Sequence, residues 1–158
     1  MDKRILLILN ELMETSRDGE KGFNKSAEEV DDPQLKSVFL RQGRHCGEAA
    51  QELAEQIRKM GGEVESGGSV SGAIHRGWVD MKAALTGHDT AAILAETEKG
   101  EDYAKKVYKE ALEEDLPADL RGLIERQYRG AIANHDEVRA LRDAYRAGNR
   151  SGAAHGHL

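Results

Sequence analysis

Apolar residues recur at steps of three and four through Ile5, Leu9, Leu12, Phe23, Ala27 and Val30. That spacing places them on one face of a helix over residues 3–30, with Ser16 and Gly19 on the same stripe. Asp32-Pro33 stops this helix and starts the next, with Asp as N-cap and Pro at the first helical position. A second stripe follows through Leu35, Phe39, Gln42, Cys46, Ala49, Leu53, Ile57 and Met60, and ends at the C-cap pair Gly61-Gly62. The join is so short that the two helices are expected to form an antiparallel hairpin.

The pattern changes over residues 61–88. A Gly/Ser-rich stretch leads into Ile74, Trp78, Met81 and Leu85, which predict a short amphipathic helix. Asp89 then caps a third long helix over about 90–114, with Ile93, Leu94, Thr97, Ala104, Tyr108 and Ala111 inward. Leu116-Pro117 turns the chain into a fourth, over about 118–146, carried by Leu120, Leu123, Ile124, Ala131, Val138, Leu141 and Tyr145. Residues 148–158 lack periodicity and are expected to be a disordered tail, so that 1–147 form the domain. Two tight hairpins joined by a long linker favour a four-helix bundle with one crossover. A helix of ~25 residues is about 37 Å long, a distance the linker can travel.

Composition agrees with an all-α fold. Charged residues make up 33% and aromatic residues 4%, with only 2 Pro among 158 residues, which excludes a β-sandwich or barrel. The 17 Gly sit less easily in a helical chain, and eight fall inside predicted helices. The 23 basic and 29 acidic residues leave a net charge of −6, which argues against binding nucleic acid or an anionic membrane. Cys46 is the single cysteine, so no disulfide forms within the chain. No apolar run reaches the length of a membrane span, and the expected location is the cytoplasm. The Gly-rich stretch at 66–72 lacks the Lys-Ser/Thr ending of a phosphate loop and follows a helix, not a strand.

Several polar residues point into the predicted bundle. Advancing 100° per residue puts Glu20 within about 40° of the apolar centre of its helix, and Gln42 in mid-stripe. His45 turns about 60° to one edge. Glu101 lies near the centre of the third helix and Glu98 at its margin; Gln127, Asn134 and His135 flank Ala131 and Val138 on the fourth. Counting from the two turns brings Glu20 level with Gln42, and Glu101 level with Ala131. One inward carboxylate per hairpin, each near a histidine, is the plan of a metal site in a bundle core, and predicts Glu20, His45, Glu101 and His135 as ligands.

The run Asp18-Gly19-Glu20-Lys21-Gly22-Phe23-Asn24-Lys25-Ser26-Ala27-Glu28 resembles the first-helix signature of the ferritin-like superfamily. To about residue 146 the chain resembles a bacterial ferritin-like family of unknown function. That resemblance is carried by Gly61-Gly62, by Gly67-Gly68-Ser69-Val70-Ser71-Gly72, by His75-Arg76-Gly77-Trp78, by the run from Ala92 to Asp102, and by Tyr108-Lys109-Glu110-Ala111-Leu112. It implies an antiparallel bundle with one long crossover, and no established reaction. The superfamily's Glu-x-x-His appears on helix two as Gln42-Gly43-Arg44-His45, and the fourth helix carries Ala131 in place of a glutamate. A di-iron site needs anionic oxygen ligands to balance its charge, so the remaining set could hold one divalent ion, iron or manganese, or none. The expected function is a stress-related or interaction protein with a degenerate core site. The alternative is a di-metal protein with ferroxidase or peroxide-handling activity. Trp78 and Met81 suggest a homodimer, and no small-molecule substrate is indicated.

Overall fold

Four α-helices and no strand make up the described residues, 2–64 and 90–155 of the computed structural model, with side chains described as far as residue 148. Helix α1 spans Lys3–Glu29 and α2 spans Pro33–Lys59. Helix α3 covers Thr90–Leu112 and α4 Ala118–His155. The expected short helix with Ile74, Trp78 and Met81, and His75 beside it, lies outside the described residues.

The ends are set by local chemistry. Asp2 caps α1 by accepting from the backbone N–H of Arg4 at 2.9 Å, and Asp32 caps α2 by accepting from that of Gln34 at 2.8 Å. Asp32→Ala removes that acceptor and should cost about 1 kcal/mol in a urea melt. At the far end of α2, Gly61 takes φ +76°, a conformation that suits a residue without Cβ. Its N–H bonds the Arg58 carbonyl and that of Gly62 bonds the Ile57 carbonyl, both at 2.9 Å, which closes a Schellman turn. The acidic end of α3 is offset by cations. Arg121 donates to the carbonyls of Leu112 at 2.9 Å and Glu114 at 2.6 Å, and Arg4 pairs with the Glu114 carboxylate at 2.8 Å.

Contacts along the helices fix their directions. Arg4 meets Glu114, Ser16 meets Tyr108 at 3.1 Å, and Phe23 shares a cluster with Ile93 and Leu94, so α1 and α3 run antiparallel. Glu52 pairs with Arg126, and Gln42 with Glu137, so α2 and α4 are antiparallel as well. Helix α2 therefore ends at the opposite end of the molecule from the start of α3. Helix α4 continues through Gly148 and Gly152 to His155. The apolar stripe stops near Tyr145, but no proline follows to break the backbone ladder.

Two apolar clusters fill the interior. One gathers Leu9, Leu12, Met13, Leu53, Ile57, Tyr108 and Ile124 near the α1 N-terminus. The other holds Phe23, Phe39, Ile93, Leu94 and Val138 near the α1–α2 turn, with the rings of Phe23 and Phe39 stacked 6.2 Å apart. Among the described residues, no helix is long and apolar enough to cross a membrane.

Candidate functional site

A polar layer separates the two clusters. Buried Ser16, Gln42, Thr97, Glu101, Gln127 and His135 contribute to it from all four helices. Helix α1 packs along α2 and α3, and α3 along α4, whereas α2 and α4 are linked through side chains. At one end Glu137 receives Arg41 and the Gln42 amide, the latter at 2.7 Å. At the other, Arg126 pairs with Glu52, and the Gln127 amide donates to the Ala49 carbonyl at 3.3 Å. Between these bridges lies a cavity of about 340 Å³. Exposed His45, Glu48, Gly130 and Ala133 surround its mouth, and buried Ser16, Glu101, Tyr108 and Gln127 line its inner wall.

Most of that inner wall is internally satisfied. Ser16 and Tyr108 share a hydrogen bond of 3.1 Å, and the Tyr108 hydroxyl donates to Gln127 Oε1 at 2.9 Å. Burial pushes the Tyr108 phenol up, so it stays protonated and available as a donor. Glu101 is the exception. It is 5% exposed, and neither carboxylate oxygen has a hydrogen-bond partner. Burial, reinforced by Glu137, Asp102 and Glu98 and opposed by Lys105, lifts its carboxyl to about 9. Near neutral pH this side chain is a buried carboxylic acid.

The other predicted ligands lie apart. Glu20 is half-buried and lies across Gly47, where a methyl group would run into its carboxylate. A Cβ on Gly43 would sit 2.7 Å from Asn24 Oδ1 and 3.4 Å from the Glu20 carbonyl, so both glycines permit close approach of α1 and α2. His45 is exposed at the cavity mouth. Cys46 is half-buried beneath it; burial, then Glu101 and Glu20, push its thiol up to about 12, leaving it protonated and a poor nucleophile.

His135 is 6% exposed and turns toward α3, with Nε2 2.6 Å from Asp102 Oδ1 and 4.0 Å from Glu98 Oε1. Its Nδ1 lies 3.5 Å from Asp136 Oδ1. Glu98 is anchored on its other oxygen by Arg142. One donor atom each from Glu98, Asp102 and His135 lies within 4.8 Å of the others, the three-residue grouping of this kind among the described residues. The structure thus brings His135 to Glu98 and Asp102, and does not gather it with Glu20, His45 and Glu101. The missed signal is the step of four from Glu98 to Asp102, which stacks two carboxylates one turn apart at the edge of the apolar face.

The dinuclear pattern fails at named positions. Gln42 spends its amide on Glu137 and on the Asn134 carbonyl, and Ala131 has no ligand atom. A single ion fits the Glu98–Asp102–His135 group better. Metal bonds of about 2.0–2.2 Å require ligand atoms further apart than the 2.6 Å ion pair, and Asp102, 59% exposed, is free to move.

No curated protein matches the chain. Residues 4–114, spanning α1 to the end of α3, match the model of a domain of unknown function, DUF2383. The match takes in Glu20, His45, Glu98, Glu101 and Asp102 and stops short of His135, which α4 supplies. On that coverage, the chain belongs to the DUF2383 family of domains of unknown function.

Proposed function

We propose that the protein is a ferritin-like bundle with a degenerate core site that holds one divalent transition-metal ion. In this reading it serves as a stress-related binding or interaction protein. The directions of the helices support a single-crossover topology. The observation that carries the metal reading is the convergence of Glu98, Asp102 and His135 within 4.8 Å. Two carboxylates and an imidazole suit manganese, ferrous iron or zinc, and their two negative charges balance the ion's two positive ones. Arg142 orients Glu98, a role outer partners often play toward metal ligands. The competing reading, a ferroxidase or peroxide-handling site using Glu20, His45, Glu101 and His135, requires two ions.

Anaerobic calorimetric titration with Mn²⁺, Fe²⁺ and Zn²⁺ decides between them. One equivalent per chain is expected, with affinity at least about tenfold weaker in His135→Ala and Asp102→Asn, the loss typical of a removed ligand or its support. Glu20→Ala should bind as the unaltered protein does. Two equivalents lost together in Glu20→Ala would favour the dinuclear reading. No uptake at equimolar metal would remove both.

A further inference from the structure

The cavity between α2 and α4 offers chemistry that the Glu98–Asp102–His135 group does not use. Its volume of about 340 Å³ is roughly twice that of an apolar cavity known to hold benzene, ~150 Å³. Gly19, Ala49, Ala104 and Ala131, one from each of the four helices, leave its wall smooth and largely apolar. Within that wall Ser16, Tyr108 and Gln127 bond one another, while both oxygens of Glu101 lack a partner and the side chain is 95% buried, being 5% exposed. An inner wall that is largely apolar around one buried, unpartnered acid, with the charged side chains Glu48, Glu52 and Arg126 kept to its rim, selects a ligand of matching design. The ligand needs an apolar body the size of a bicyclic ring and a single cationic donor at one end.

We infer that the α2–α4 cavity is a binding site for a compact apolar primary amine, whose ammonium group displaces the Glu101 proton to solvent and pairs with the carboxylate so formed. A hydrogen-bonded charge pair satisfies Glu101, and removal of the apolar body from water supplies much of the affinity. Entry is past His45 and Gly130, in the gap between the Glu137 and Glu52 bridges. The site stands apart from the metal reading. On α3, Glu101 is turned about 60° from Glu98 and about 100° from Asp102, and it lines the cavity while they do not.

The test is calorimetric titration of the full chain with tryptamine and with 3-ethylindole, the neutral compound that lacks its amino group, in chelator at pH 7.5. Tryptamine should bind one per chain, at least about tenfold more tightly than 3-ethylindole, the margin expected of a bond to a charged group. Glu101→Gln should remove that margin and leave 3-ethylindole binding unchanged. Ala131→Phe, which fills the cavity, should abolish both. His135→Ala should leave tryptamine binding intact, whatever it does to metal. The proposal fails if tryptamine does not saturate, if the two ligands bind equally, or if Ala131→Phe leaves both unaffected. Equal loss of tryptamine in His135→Ala and Glu101→Gln also overturns it, because it would place the ammonium at the Glu98–Asp102 group. Should Glu101→Gln not fold, the ligand pair and Ala131→Phe still decide the matter.

Discussion

Replacing Glu101 by Gln should make the protein more stable at pH 8, by on the order of 5 kcal/mol, and by almost nothing at pH 4. The reason is linkage. In the unfolded chain this carboxyl loses its proton near the usual 4.5, whereas in the folded protein it holds it to about 9. Between those values the folded state binds more protons than the unfolded one, so stability falls as pH rises. Glu101 alone contributes a slope of about −1.4 kcal/mol per pH unit there. Below the lower value both states are protonated and the penalty vanishes. The first cause is burial; Glu137, Asp102 and Glu98 add to it, and Lys105 opposes them. Gln keeps the shape and the polar atoms of the neutral acid and has no proton to lose. Denaturant melts in chelator at pH 4, 6 and 8 should therefore diverge between the two proteins, with the variant above. Parallel curves would show that Glu101 ionises freely in the folded protein.

A side chain that weakens the fold over the pH range where proteins work calls for a physical reason. Gln42, in the same polar layer, is fully buried and neutral, and its Nε2 donates to Glu137 at 2.7 Å, so only its Oε1 goes without a partner. Tyr108 and Gln127 satisfy each other. Glu101 has no such arrangement. Natural chains retain unsatisfied buried groups mainly where binding or chemistry offsets their cost. Glu101 is thus the residue on which the stability of the bundle and the use of its cavity are in opposition.

Much of this architecture is legible in the residue pattern, because the signals are local. Asp2, Asp32-Pro33 and Gly61-Gly62 mark helix ends through bonds made within a turn or two of the chain. A helical projection also places Gln42, Glu101 and Val138 inward, and all three are buried. What the projection lacks is the distance to the neighbouring helix. His45 and Glu20 sit near their stripes, but His45 faces the gap between α2 and α4 and is exposed. Glu20 turns onto Gly47. Glu98 and Asp102 look like edge residues on α3 and become partners of His135 only because α4 packs beside that edge. The separation of α2 from α4, and with it the cavity, is a property of four helices together. No single helix carries it.

Truncating Phe39 to Ala should cost about 3–5 kcal/mol, the largest loss expected of a single apolar substitution in this chain. Phe39 has no exposed surface, and its ring stacks on Phe23 at 6.2 Å with 27° between the planes. It lies one turn before Gln42 on α2, so its cluster of Ile93, Leu94 and Val138 forms one wall of the polar layer. Two terms add: the transfer of an aromatic side chain back to water, and the void left where rigid helices cannot close. Total stability for a domain is about 5–15 kcal/mol, so this change removes a large share of it. Phe39→Leu keeps most of the volume and should cost less than half as much. Urea melts of both variants at pH 6 provide the measurement. The melts also separate the two halves of the core. Leu53→Ala, in the other cluster and equally buried, should lose about 2–5 kcal/mol without disturbing the surroundings of His135. Phe39→Ala should loosen them, because Val138 packs in the Phe39 cluster one turn from His135. A loss below about 1 kcal/mol for Phe39→Ala would mean that the helices close around the gap, and that the polar layer is held by its hydrogen bonds instead of by this cluster.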